Sequence, residues 1–305
     1  MKSIATAEAT ESSLLAAWST LCKPRITAMI AFAAVVGGWL AAGKAADPWL
    51  LGEAAFYISA LGAASSMFNQ VLERDTDALM ARTARRPLVT GRVRTRDAIF
   101  VAASLSAVGL VGLAARFNTL SALLGVATLA AYALVYTPLK RFSTLNTAVG
   151  AIPGAMPPLL GYAAIAGDVG SWGWYFFSVL FAWQFPHFLA IAWIYREDYA
   201  RAGLKMLPAM PGTKGMAGRQ AFLYSLALLP VSLLPALRGE AGALYVASAL
   251  VLGLVYAAAS LAFALRETRG RARAVVLVSL AYVPLLCSLT LLDPLVRSFG
   301  ARSSL

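Results

Sequence analysis

The sequence predicts an all-α, polytopic membrane protein with nine transmembrane helices. Three observations carry this prediction. Apolar residues make up 60% of the 305-residue chain and charged residues only 13%, roughly half the charge of a soluble domain. The apolar residues fall into long runs, unlike the weak ten-residue alternation of an outer-membrane barrel. The basic residues concentrate in alternate loops, as the positive-inside rule requires. High hydrophobicity also excludes a disordered chain. One His and two Cys exclude a structural zinc site of four cysteines or of two cysteines and two histidines, a multi-disulfide framework and a c-type haem attachment motif.

In chain order the spans are 26–43, 50–72, 98–115, 119–136, 145–166, 172–195, 222–237, 242–265 and 274–292. A helix needs about 20 residues to cross the hydrocarbon, with a range of about 17–25, so the shorter runs imply ends a few residues further out. The chain divides into a leader, 1–22, a nine-helix domain, 23–295, and a tail, 296–305. The leader contains Glu8 and Glu11. It is too long for the n-region of a signal peptide and not Arg-rich enough for a transit peptide.

With the N-terminus in the cytoplasm, 21 of the 26 Lys and Arg residues lie on the cytoplasmic side and the C-terminus lies outside. This topology accounts for the formal net charge of +12 without a nucleic-acid partner. The lipid bilayer is the partner the composition demands.

The polar chemistry gathers in two long cytoplasmic loops, 73–97 and 196–221. Span two ends in Asn69, Glu73 and Asp77, spaced i, i+4, i+8, which is one stripe on a helix. Like charges at i, i+4 repel unless a cation sits between them. One carboxamide and two carboxylates suit Mg²⁺, which keeps waters and shares positions with substrate phosphate. The alternative is a solvated helix end with Arg74 and Arg82 as counterions. Arg82, Arg85, Arg86, Arg92, Arg94 and Arg96 follow. Guanidinium groups suit phosphate, but also topology and anionic lipid.

Span four ends with Tyr136 and Lys140 at i, i+4, either a phosphate-reaching Lys or a snorkelling interfacial pair. Span five holds Pro153, Pro157 and Pro158, which predicts an irregular helix, either lining a cavity or packed closely on a neighbour. Span six carries Trp183 to Phe188 around His187, the only His, and closes on Glu197 and Asp198. His187 lies on the Asp198 face, roughly 16 Å deeper. Pro186 before it admits a kink or cavity. The imidazole could ligate haem iron or hydrogen-bond a neighbouring helix. Basic residues and a Pro follow both acidic helix ends, a hint of an internal repeat around a shared site.

At these residues the sequence resembles the intramembrane aromatic prenyltransferase superfamily, and within it the haem-farnesylating family. Asn69 to Asp77 with Met80 to Leu88 is similar to the first aspartate-rich motif, and Tyr136 to Lys140 to the Tyr-x-x-x-Lys motif. Lys23-Pro24-Arg25, Thr144 to Pro158, Trp183 to His187 and Arg196 to Leu207 are similar to blocks of the haem-specific family. The likeness runs from about residue 23 to 208; the last three spans add hydropathy but little signature. Two positions depart from the pattern. Glu73 stands where Asp is usual, and Ala202 stands where the second motif of the wider superfamily has an acid.

The resemblance implies a single nine-helix bundle around a central cavity, open to the cytoplasmic face of a bacterial inner membrane. It implies a Mg²⁺-dependent transferase, with one or two ions, that moves the farnesyl group of farnesyl diphosphate onto a vinyl group of haem B to give haem O. Asn69, Glu73, Asp77 and Asp198 would hold the metal. Arg25, Arg82, Arg85, Lys140 and Lys205 would hold the diphosphate, and His187 would bind haem. A downstream haem-modifying enzyme or oxidase assembly factor would take the product. A quinone- or chlorin-precursor acceptor and a transporter are the competing expectations.

Overall fold

The computed structural model describes residues 14–294. The leader before residue 14, with Glu8 and Glu11, and the tail 296–305 lie outside the described residues. Among the described residues there is no strand, and nine helices are long and apolar enough to cross a membrane. They are α1 (Pro24–Ala42), α2 (Pro48–Leu72), α3 (Thr95–Arg116), α4 (Thr119–Leu139), α5 (Asn146–Ala166), α6 (Ser171–Ile194), α7 (Met216–Leu237), α8 (Ala243–Leu265) and α9 (Arg269–Leu292). Six helices begin one to six residues earlier than the apolar runs, because hydropathy does not register a polar first turn. α3 starts at Thr95 and α9 at Arg269, each inside a basic stretch.

Local chemistry explains the ends. Pro24 and Pro48 occupy first turns, where the missing N–H costs nothing. Asp47 caps α2 by accepting from Trp49 N at 2.9 Å, and Asn118 caps α4 by accepting from Ser121 N at 2.8 Å. Two helices are capped from a distance. Glu267 accepts from Gly215 N and Gly218 N, at 3.1 and 2.8 Å, at the start of α7. Asp293 accepts from Gly242 N and Tyr245 N, at 3.2 and 2.8 Å, at the start of α8. A carboxylate at a helix N-terminus meets its orphan N–H groups and its dipole. Two of the chain's few acids thus serve architecture.

α5 sits centrally, against α1, α2, α4 and α6. α6 then leads a second group with α7, α8 and α9. Despite its prolines α5 is an unbroken helix, so the expected irregularity is not found, while the expected close packing on a neighbour is. A Cβ on Gly37 would fall on the Pro158 carbonyl, and one on Gly161 on the Ala34 carbonyl. α1 and α5 therefore meet backbone to backbone, as small residues allow in membranes. α6 likewise runs unbroken through Pro186. Large apolar side chains such as Val111, Leu123, Leu223, Val251 and Leu277 remain exposed on the outside, as lipid-facing residues must.

At one end of the bundle the two long loops fold over the helix ends. Ala17 and Leu21, in the helical end of the leader, pack with Met67, Leu88 and Val93 under the first loop. Met80 of that loop packs with Ala202, Leu204 and Met206 of the second.

Candidate functional site

The helical path of α2 continues through Glu73 into a short helix, Arg74–Ala78. Glu73 N donates to Asn69 O at 2.9 Å and Asp77 N to Glu73 O at 2.7 Å. The i, i+4, i+8 stripe therefore survives intact, and it is not a solvated helix end. Asn69, Glu73 and Asp77 are 3%, 6% and 1% exposed.

Each buried carboxylate has a cation from another segment. Glu73 Oε1 accepts from Lys140 Nζ at 2.7 Å, and Asp77 Oδ2 pairs with Arg86. The counterions are thus Lys140 and Arg86 and not the neighbouring Arg74 and Arg82. Lys140 is placed by the end of α4, which widens into a π-helical turn over Ala131–Tyr136. Thr137 Oγ1 donates to Tyr132 O at 2.9 Å and accepts from Asn69 Nδ2 at 3.3 Å. With Nδ2 committed, Asn69 Oδ1 is the atom left to ligate. The Lys140 ammonium lies 4.4 Å from the Tyr136 ring centroid. Burial alone would lower the Lys140 pKa, but Tyr136, Glu73 and Tyr132 outweigh it and the net direction is upward.

Lys23 completes the cluster. It adopts a left-handed backbone conformation, φ 50°, uncommon outside glycine and of the kind that collects at functional sites. Burial, then the charges of Arg86 and Lys140, lower its pKa to about 8, opposed by Glu73 and Asp77. Three cations therefore face two carboxylates, which leaves one positive charge in excess. Burial also raises the Asp77 pKa, with Arg86 pulling the other way.

The second loop closes over the first. Asp198, in the short helix Arg196–Arg201, accepts from Ala81 N at 3.4 Å and from Arg201 at 3.1 Å. Arg82 donates to Tyr199 Oη at 3.3 Å and lies 4.9 Å from the Tyr195 ring centroid. Glu197 turns outward to Arg196 and is 83% exposed, so Asp198 is the inner acid of that pair. Lys205 ties the loops through its backbone: its N–H donates to Lys140 O at 2.7 Å, and its carbonyl accepts from Asn146 Nδ2 at 2.9 Å. The Lys205 side chain is exposed, as are Arg25 and Arg85.

His187 lies on α6 with its ring stacked on Trp183 at 5.1 Å. Its Nδ1 is 2.7 Å from Ser279 Oγ on α9. Trp183 Nε1 donates to Ser279 O at 2.9 Å.

Sequence reasoning left Arg86 and Lys23 out of the site set. Both were visible, one inside the basic run and the other beside Arg25, but nothing local distinguished them from their neighbours. Ser279 carried no signal.

The donor set tests the fit of Mg²⁺. Among the described residues no three His, Cys, Asp or Glu side chains converge on one point. Mg²⁺ does not need such a cage, since one or two carboxylates, waters and substrate phosphates suffice. The oxygens present are hard donors, and Asp77 Oδ1 is buried without a hydrogen-bond partner, a position a cation would satisfy. The residues fit the ion.

Comparison with known proteins identifies the family and the fold. Residues 30–289 match the model of the UbiA prenyltransferase family. A protein of Solibacter usitatus named protoheme IX farnesyltransferase is 44% identical over 282 residues, covering 90% of this chain and 97% of that protein. The apo structure of a UbiA homologue from Aeropyrum pernix K1 superposes with a TM-score of 0.71 at 24% identity, covering 87% of this chain and 97% of that one. The structure of a UbiA homologue from Archaeoglobus fulgidus bound to GPP and Mg²⁺ gives a TM-score of 0.64 at 17% identity, covering 90% and 99%. At such identities the two structures establish the shared fold.

Proposed function

The chain belongs to the UbiA prenyltransferase family, and from that premise we propose that it transfers the farnesyl group of farnesyl diphosphate to a vinyl group of haem B, releasing diphosphate and giving haem O. The observation that carries the reading is the buried Asn69–Glu73–Asp77 stripe held against Lys140 and Arg86. The farnesyl donor and haem acceptor follow the name of the 44%-identical Solibacter usitatus relative.

Asn69 Oδ1, Glu73 and Asp77 would hold Mg²⁺; Asp198, on the second loop, does not converge with them on one point and would hold a second ion or act through its waters. When bound, the ion supplies Lewis-acid stabilisation of the leaving diphosphate. Lys140, Lys23 and Arg86 form the inner cations for that group, and Arg82 reaches it from the loop junction. Arg25, Arg85 and Lys205 are the outer cations that draw the anion in. Closing the loops over the helix ends excludes water from the allylic cation that departure leaves. The haem vinyl group attacks that cation, and one water then adds to the carbon left electron-deficient on the haem side and gives up a proton to the released diphosphate, completing the hydroxyethylfarnesyl group. No protein nucleophile is required.

His187 binds the haem through its imidazole. The basic loops support a cytoplasmic site in a bacterial inner membrane, with a haem-modifying enzyme or oxidase assembly factor receiving the product. The test is a membrane assay with haem B, farnesyl diphosphate and Mg²⁺, read by chromatography and mass. A farnesylated haem that disappears with chelator is expected. Farnesyl transfer only to quinone-type acceptors would overturn the haem assignment and leave the metal site standing.

A further inference from the structure

We infer that Ser279 is a positioning residue: it holds neutral His187 as the Nδ1-protonated tautomer and leaves the Nε2 lone pair to ligate haem iron. The iron ligation rests on the haem reading above; the tautomer assignment does not.

The argument is a count of protons. Ser279 Oγ lies 2.6 Å from Val276 O and 2.7 Å from His187 Nδ1. A hydroxyl has one proton to donate. The Val276 carbonyl is only an acceptor, so that proton goes to it. Were it turned to Nδ1 instead, two oxygen lone pairs would face each other at 2.6 Å. The hydroxyl must therefore accept from His187, and Nδ1 carries the hydrogen. In a neutral imidazole the other nitrogen is then an unprotonated acceptor.

Nε2 has no hydrogen bond among the described residues, and the ring is only partly buried. The ring is also held in plane by its stack on Trp183, whose own Nε1–H is anchored on Ser279 O. One serine on α9 thus fixes the proton, the plane and the neighbour of the single histidine on α6. A metal-bound histidine typically has its second nitrogen tied in this way, which sets tautomer and basicity.

Because His187 is the only histidine, labelling histidine with ¹⁵N gives one pair of ring signals in solid-state NMR of the full chain in bilayers. A protonated Nδ1 and an unprotonated Nε2 are expected in the wild type, and mixed tautomers in Ser279→Ala. A protonated Nε2 in the wild type would overturn the inference without touching the haem reading.

Haem B titration of the same samples supplies the second arm. An imidazole-ligated spectrum is expected in the wild type. It should be lost in His187→Ala and recovered with added imidazole. Ser279→Ala should bind haem roughly ten- to a hundredfold more weakly, and Ser279→Thr, which keeps the hydroxyl, should restore it. Wild-type affinity and spectrum in Ser279→Ala would sink the positioning role. Failure of the wild type to bind haem would remove the haem reading itself and leave the tautomer result standing.

Discussion

Lys140 and Glu73 are 67 positions apart in the chain and 2.7 Å apart in space. Their side chains are 13% and 9% exposed, so each offsets part of what the other loses on leaving water. The pair joins the end of α4 to the end of α2 at the site where a diphosphate would bring further negative charge.

Lys140→Met should therefore act in two ways. It leaves Glu73 buried and uncompensated, which costs about 3–5 kcal/mol for such pairs. It also removes a cation from the leaving group, with a rate loss on the order of 10²–10³. The double variant with Glu73→Gln should recover stability and not turnover. Melting curves and turnover on the four proteins check this.

Glu73→Asp restores the residue usual in this motif and keeps the charge. Activity within about tenfold of wild type is expected, a margin below the loss assigned to a removed electrostatic contact. Asp77→Asn keeps the shape, removes the charge and should abolish turnover while haem binding persists. Full activity in Asp77→Asn would remove Asp77 from the metal site.

Lys23 should make substrate binding depend on pH. Its pKa in the fold is about 8, against about 10.4 for a free lysine. The charged form binds the diphosphate, so KM for farnesyl diphosphate should rise as pH rises through about 8. Stability has the opposite sign. Between about pH 8 and 10.4 the unfolded chain holds more protons at this position, so stability rises with pH there. Lys23→Arg stays charged and should flatten the KM profile. An unchanged profile in that variant would exclude Lys23 as its source.

Gly161→Val tests the α1–α5 contact. The added Cβ meets the Ala34 backbone, which cannot move aside as a side chain would. Overpacking of this kind costs about 1–3 kcal/mol, and more where backbone is the obstacle. A lower melting temperature and loss of activity are expected, whereas Gly52→Ala, with open space around its Cβ, should be neutral.

Much of the molecule was legible in the sequence because its signals are local. Hydropathy needs only a window of one span, and all nine helices followed from it with ends displaced by at most six residues. Asn69, Glu73 and Asp77 share a stripe because helical periodicity puts i, i+4 and i+8 on one face. The order of motifs carried the family.

The structure decided what depends on how helices turn toward one another. No local pattern says that Asp77 takes Arg86 and not Arg82, that Glu197 faces out while Asp198 meets Ala81, or that Lys23 joins the cluster while Arg25 is exposed. Hydrophobic periodicity fixes which face of a helix is buried, but a partner 67 or 92 positions away, as for Lys140 and Ser279, is chosen by side-chain packing between helices. In a membrane that choice rests on close backbone approach and on pairing every buried polar group, and both exist only once the helices have assembled.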